Sequence, residues 1–219
     1  MGKSLKLLEK YPKTSFNIED RRRTKSANNI LLARQFGKDY FDGGKRHGYG
    51  GYVYRQSEWK SLGEKICQHF QLTGEQTVLD IGCAKGFLLH ALSVCVPSIK
   101  VKGIDVSSYA IANGLAQMKP HLQVGNAINL PFPDNHFDLV LSFNTLHNLT
   151  QSSCVQALKE IQRVGKGDSF IVVAAYQSTQ QQVRLHDWNL TAKMIAHVQE
   201  WKALFHKSGY TGDYDWFCP

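Results

Sequence analysis

Val78-Leu79-Asp80-Ile81-Gly82-Cys83-Ala84-Lys85-Gly86-Phe87 reads as a buried strand, a glycine turn and the first residues of a helix. A glycine turn lets a ligand approach the backbone closely, since no side chain stands in the way. The helix start behind it offers backbone N–H groups that lack partners within the helix. A dinucleotide fingerprint needs G-x-G-x-x-G at such a turn. Here Ala84 occupies the second glycine position and Phe87 the third, so the pattern is D-x-G-x-x-x-G. That departure speaks against a nicotinamide oxidoreductase.

Strand and helix signals alternate on both sides of this turn. Trp59, Leu62, Ile66 and Phe70 recur at helical spacing over 58–70. Strands are predicted at Thr77–Ile81, Lys100–Val106, Leu122–Gly125, Phe137–Phe143 and Asp168–Ala175. Between them, helices are predicted at Phe87–Val96, Tyr109–Met118 and from Ser152 or Ser153 to Val164, the last broken by Gly165-Lys166-Gly167. A helix at Gln199–Lys207 and an edge strand at Tyr210–Phe217 follow, and residues 178–195 carry no clear signal. Five alternations predict an α/β fold with a mostly parallel sheet, right-handed crossovers and helices on both faces. Residues 1–56 read as a basic arm and a Gly/Tyr-rich lid, and residues 57–219 as the main domain.

The 219 residues suffice for one α/β domain with a substantial core. No apolar run reaches the ~18 residues of a membrane helix. Met1-Gly2-Lys3-Ser4-Leu5-Lys6 has neither an apolar signal core nor the Ser or Thr of a myristoylation site. A soluble, cytoplasmic monomer or homodimer is expected. Cys67, Cys83, Cys95, Cys154 and Cys218 show no C-x-x-C spacing, which argues against structural zinc and for reduced thiols. The net charge of +8 favours an anionic partner, a phosphorylated small molecule or nucleic acid. Arg21-Arg22-Arg23-Thr24-Lys25 holds part of it and reads as a solvated arm, with no aromatic interleaving to support RNA binding.

In an open α/β sheet, ligands sit beyond the carboxyl ends of the strands, at the point where strand order reverses. That rule selects Asp80 and the turn after the first strand, Asp105 and Val106 after the second, Asn126 and Ala127 after the third, and Phe143, Asn144, Thr145 and His147 after the fourth. Asp105 lies roughly twenty residues past the glycine turn, where a carboxylate can accept from both hydroxyls of a ribose.

Four stretches in order resemble class I S-adenosylmethionine (SAM)-dependent methyltransferases, over about residues 77–175. Val78–Phe87 is similar to their motif I, and Gly103-Ile104-Asp105-Val106-Ser107 to their acidic ribose motif. Leu130-Pro131-Phe132-Pro133-Asp134-Asn135-His136-Phe137-Asp138-Leu139-Val140 resembles a stretch common among small-molecule methyltransferases, and Glu160–Val164 the helix before strand five. The resemblance implies the Rossmann-like class I fold, with seven strands and a C-terminal hairpin that is short here. It implies SAM as cofactor and S-adenosylhomocysteine as product, with no metal. Asp80, Gly82, Cys83, Ala84, Gly86 and Phe87 would hold its methionine part and Asp105 its ribose. Val106, Asn126, Ala127 and Phe143 would complete the cofactor site, with Asn126 and Ala127 flanking the adenine. Lys85 is read as facing solvent or the cofactor carboxylate.

The acceptor side is less legible. Asn144-Thr145-Leu146-His147 lacks the [DN]-P-P-[FY] tetrapeptide of amino-methylases acting on adenine or glutamine. His147 is the candidate general base. Tyr40–Arg55 holds five glycines and four tyrosines, too many glycines for a regular helix, and reads as a lid. Tyr49, Tyr52 and Arg55 are its candidate contacts with cofactor or acceptor. The expected activity is methyl transfer to an O or N atom of a small molecule. The alternatives are methylation of RNA or protein, and SAM binding without transfer.

Overall fold

A computed structural model of the chain describes residues 2–7 and 17–219. Residue 1 and residues 8–16 of the expected arm therefore lie outside the described residues. Three short helices, α1 (Ile18–Thr24), α2 (Ala27–Arg34) and α3 (Lys38–Phe41), precede the long α4 (Gln56–His69). Then come β1 (Thr77–Ile81), α5 (Phe87–Cys95), β2 (Lys100–Asp105), α6 (Ser108–Ala112), β3 (Leu122–Val124) and β4 (Phe137–Phe143). The chain continues through α7 (Gln151–Val164), β5 (Gly165–Tyr176), α8 (Thr179–Trp188), β6 (Ala196–His197), α9 (Val198–Ser208) and β7 (Asp213–Phe217).

The strand order is β3-β2-β1-β4-β5-β6, with β7 also paired to β5, and every pair of these strands is parallel. Both faces of the sheet are buried, so the central strands read as apolar runs whose side chains alternate between two cores. Leu79, Ile81, Ile171 and Val173 face α7 and α9, with Trp201 and Phe205. Val78, Phe170 and Val172 face α4 and α5, with Trp59, Leu62, Leu89 and Leu92. Asp80 shares the parity of Val78 and is the charged residue of the strand.

Several local expectations are corrected. The helix expected to reach Met118 stops at Ala112, where the Asn113 side chain turns back to the Tyr109 carbonyl and Gly114 follows. Thr150, rather than Ser152 or Ser153, caps α7 by accepting from the Ser153 N–H. Gly165-Lys166-Gly167 ends that helix and is already the start of β5. The stretch 178–195 holds α8, capped by Ser178. The basic run forms most of α1, with Arg22 and Arg23 solvated and Arg21 turned inward. Arg21 is buried and donates to the Gly48 carbonyl (2.9 Å), Lys25 donates to the His186 carbonyl, and Arg23 pairs with Asp20.

No C-terminal hairpin forms among the described residues. α9 carries the chain back along the sheet, so β7 enters parallel to β5, registering Phe170 on Asp213 through Ala174 on Phe217. The outer edge of β7 is covered by the N-terminal segment: Leu5 N–H donates to the Tyr214 carbonyl (2.8 Å) and Tyr214 N–H to the Lys3 carbonyl (3.0 Å). Covering an edge in this way removes a template for unwanted strand pairing.

The loop that leads into β4 is fixed by one side chain. Arg163 donates to Glu160, to Asp134 and to the carbonyls of Leu130 and Phe132, at 2.7–3.0 Å. Glu160 is buried and also accepts from the Leu130 N–H (2.7 Å). Arg163→Ala is expected to lower the unfolding free energy by about 2–3 kcal/mol, since it strands a buried carboxylate and two carbonyls. Urea denaturation of the two proteins measures the difference.

Candidate active site

The carboxyl ends of β1, β2 and β4 converge on a cavity of about 360 Å³. It lies at the β1/β4 junction, where strand order reverses. Asp80, Gly82, Cys83 and Ala84 line it from β1, Asp105 and Val106 from β2, Asn126 and Ala127 from the loop after β3, and Phe143 from β4. These residues were separate in the sequence and are brought together here.

The turn after β1 needs unusual backbone. Gly82 sits at φ +81°, and a Cβ there would collide with the Thr145 hydroxyl. Ala84 also takes a left-handed conformation, φ +49°, although it carries a Cβ. That conformation costs an L-residue on the order of 1 kcal/mol. The compensation comes from Asp105, whose Oδ2 accepts from the Ala84 N–H and whose Oδ1 accepts from the Ser107 N–H, both at 2.8 Å. One carboxylate thus ties the β1 turn to the end of β2. Burial raises the Asp105 pKa, and the two N–H groups hold it back.

Asp80 is buried and its Oδ1 has no hydrogen-bond partner. Burial, with the Asp105 charge beside it, pushes its carboxyl up to about 8. A buried carboxylate without a partner is costly, so the site is prepared for a ligand that brings a donor or a positive charge. SAM carries an ammonium and a ribose diol, and the pair Asp80 and Asp105 fits them. Asn126 lines the same cavity, with its Oδ1 accepting from the Ile128 N–H (3.1 Å) in a local turn that aims the amide.

Two residues of the expected cofactor loop shape it without lining it. Gly86, at φ +77°, is the N-cap of α5. Phe87 is buried in the core, its ring stacked on Tyr52 (4.7 Å between centroids) and set edge-on to Trp59 (5.9 Å). Lys85 faces neither solvent nor the cavity. It is buried, and its Nζ donates to both oxygens of Asp42 (2.7 Å each) and to the Tyr52 carbonyl (3.0 Å). Tyr109 adds its hydroxyl to Asp42 (2.8 Å). Although partial burial opposes it, this partner set holds the Asp42 carboxyl below its usual range. The centre of the glycine turn is therefore clamped to the Gly/Tyr segment.

That segment supplies Tyr40, Phe41, Tyr49 and Tyr52 to the cavity lining. Their rings stack and cross at 4.5–5.9 Å between centroids. The Tyr40 phenol is raised by burial and does not ionise near neutral pH. Arg55 does not reach the cavity and pairs instead with Glu58 (3.3 Å) at the start of α4. Sequence reasoning missed Arg34, Tyr40, Asn148 and Lys193 as lining residues. Arg34 and Lys193 lie 159 positions apart (193 minus 34) and no local pattern joins them.

His147 is not placed to act as the base. It is 3% exposed, lies outside the cavity lining, and its Nδ1 accepts from the Ala174 N–H (3.0 Å). Its carbonyl accepts from the N–H groups of Lys193 and Met194 (3.0 Å each). Burial pushes the imidazole down to about 4, so it is neutral with its proton on Nε2. Its work is to join the loop after β4 to β5 and to the segment before β6.

Two outcomes follow from this geometry. Asp105→Asn is expected to weaken SAM binding about 10- to 100-fold, the range of one or two hydrogen bonds to a charged group, read by isothermal calorimetry. For His147, the unfolded imidazole titrates near 6.5 and the folded one near 4. On acidification the unfolded chain therefore takes the proton first, and stability falls by about 3 kcal/mol between pH 6.5 and 4. His147→Asn, whose amide oxygen can accept from Ala174, is expected to flatten this slope and leave turnover within a few-fold. Urea midpoints across that pH range, with a turnover assay, measure both.

Residues 78–168 match the family model described as "Methyltransferase domain". The chain is 29% identical over 139 residues to the ajmaline N-methyltransferase of Rauvolfia serpentina, covering 58% of this chain and 46% of that one. It is 33% identical over 133 residues to a demethylmenaquinone methyltransferase of Symbiobacterium thermophilum, covering 56% and 52%. The chain thus spans about half the length of these curated relatives. The crystal structure of the YcgJ protein from Bacillus subtilis shares the fold, with a TM-score of 0.55 and 24% identity over 67% of this chain and 66% of that one. Asp80, the strained glycine turn and Asp105, which converge at the strand switch point, all lie within the residues that match the methyltransferase domain model.

Proposed function

We propose that this chain transfers a methyl group from SAM to an O or N atom of a small-molecule acceptor. The observation that carries the reading is the cavity itself. Its volume of about 360 Å³ is within the range of small-molecule sites, and aromatic residues from the N-terminal segment line it together with the glycine turn. Bound SAM supplies a methyl on a sulfonium, which is already a good leaving group. The protein's contribution is to align the acceptor and keep water out. Asp80 and the turn hold the methionine end, Asp105 the ribose, and Asn126, Ala127 and Val106 surround the base. Tyr49 and Tyr52 close the site from the lid.

We read residues 1–56 as an N-terminal arm followed by this Gly/Tyr-rich lid, and 57–219 as the transferase domain. No histidine lines the cavity among the described residues, which supports an acceptor that is nucleophilic without an imidazole base. The RNA reading loses part of its best local feature, because Arg21 and Lys25 are spent on internal hydrogen bonds while Arg22 and Arg23 stay exposed. No helix among the described residues is long and apolar enough to cross a membrane.

The test is incubation with methyl-labelled SAM and a metabolite extract, beside calorimetry of SAM binding. Label in a small-molecule fraction, lost with Asp105→Asn, is expected. Label confined to RNA or protein overturns the small-molecule acceptor. SAM binding with no labelled product of any kind overturns transfer.

A further inference from the structure

The cavity is chemically divided along the sheet. Its β2–β3 side holds Asp105 and Asn126, and Asp80 lies at the centre on β1. Beyond β4 the lining changes to Asn144, Asn148, Lys193 and Arg34. These four are joined by a continuous set of contacts. The Asn148 amide donates to the Asn144 carbonyl (3.3 Å), and Lys193 N–H donates to the carbonyl of His147, the neighbour of Asn148 (3.0 Å). Arg34 donates to the carbonyl of Ala192, the neighbour of Lys193 (3.0 Å). Asp80 and Asp105 are the acidic lining residues, so this far side has two cationic side chains and no carboxylate among the described residues.

Two atoms there lack partners. The side-chain oxygens of Asn144 and Asn148 are both buried and accept no hydrogen bond. Buried polar atoms are nearly always satisfied, so both point to a ligand that donates. Asn144 is also held at φ +53°, a conformation asparagine tolerates better than most residues but one still sparsely populated. It directly follows β4, and its neighbour Thr145 abuts Gly82 of the cofactor turn. The unsatisfied amide therefore lies beside the place where the methyl donor must sit.

We propose that this corner binds the methyl acceptor, and that the acceptor is a small acid, a carboxylate or phosphate ester, whose methyl-accepting atom carries an N–H or O–H. This rests on the transferase reading above. Arg34 and Lys193 take the acid group at the cavity mouth. Asn144 and Asn148 accept from the N–H or O–H and turn the lone pair of that atom toward the methyl. In the transfer, that lone pair forms the new bond to the methyl carbon. The pair of the broken S–C bond returns to sulfur, which becomes a neutral thioether. The acceptor's proton leaves to water, because an amide oxygen orients a donor and does not keep the proton. Asn144 and Asn148 are positioning residues in this scheme.

The experiment uses methyl-labelled SAM, a metabolite extract and the full chain, with products passed over an anion exchanger at pH 8. Small labelled product retained on the exchanger is expected. Phosphatase treatment that releases it identifies a phosphate ester, and continued retention identifies a carboxylate. The double variant Arg34→Glu with Lys193→Glu is expected to cut its yield at least tenfold, with the SAM dissociation constant within twofold of wild type. Asn144→Gly permits the left-handed backbone and removes the amide. It is expected to lower kcat/KM for the purified acceptor at least tenfold, again with SAM affinity unchanged. A labelled small molecule that passes the exchanger uncharged or cationic overturns the acid. Undiminished yield from the double variant overturns the roles of Arg34 and Lys193, and an unchanged kcat/KM in Asn144→Gly overturns the amide contact. SAM binding without any labelled product overturns the transferase reading instead.

Discussion

The site depends on one carboxylate. Asp105 bonds the Ala84 N–H and the Ser107 N–H, and in doing so fixes the ends of β1 and β2 relative to each other. Without that acceptor the left-handed Ala84 would carry strain with nothing to offset it. The same group faces the cavity and adds to the burial that raises the Asp80 carboxyl beside it. A structural tie and a place in the cavity lining therefore coincide in a single side chain. The site holds two carboxyl groups close together in a poorly solvated place, which favours a ligand carrying positive charge and hydroxyl donors.

A second ion pair extends this arrangement outward. Lys85 and Asp42 clamp the glycine turn to the segment that supplies Tyr40, Phe41, Tyr49 and Tyr52. The pair is largely withdrawn from water, where breaking one partner costs far more than at a surface. Ser107 adds to the same attachment, its hydroxyl donating to the Phe36 carbonyl. The N-terminal segment is thus part of the cavity wall, linked to the two strand ends that make the cofactor side. The far side is attached differently, through His147, whose ring meets β5 at Ala174 and whose carbonyl holds Lys193 and Met194.

Much of this was readable without coordinates, for reasons that can be named. β1, β4 and β5 are buried on both faces, so their sequences are near-continuous apolar runs that period alone identifies. Asp80 and Asp105 stood out as charges at the ends of such runs, where a charge is costly unless it has work to do. Helical spacing predicts α6 as far as Met118, and the local interruption at Asn113 and Gly114 overrides it. α8 was missed because its composition is polar and one residue, Leu185, is buried along it. The expected hairpin failed because the crossover through α9 returns the chain parallel to β5.

The sequence by itself determined the donor side: a parallel sheet, a glycine turn, and carboxylates at the ends of adjacent strands. Those features are local, since strand ends and turns are encoded by neighbouring residues. Only the tertiary structure decided the rest. It took His147 out of the chemistry by giving its Nδ1 to a backbone N–H of β5. It made Lys85, read as facing solvent or the cofactor carboxylate, a clamp on Asp42. It joined Arg34, Asn144, Asn148 and Lys193 into one wall of the cavity. These outcomes are contacts between residues distant along the chain, and periodicity and motif spacing carry no information about which distant groups a fold makes neighbours.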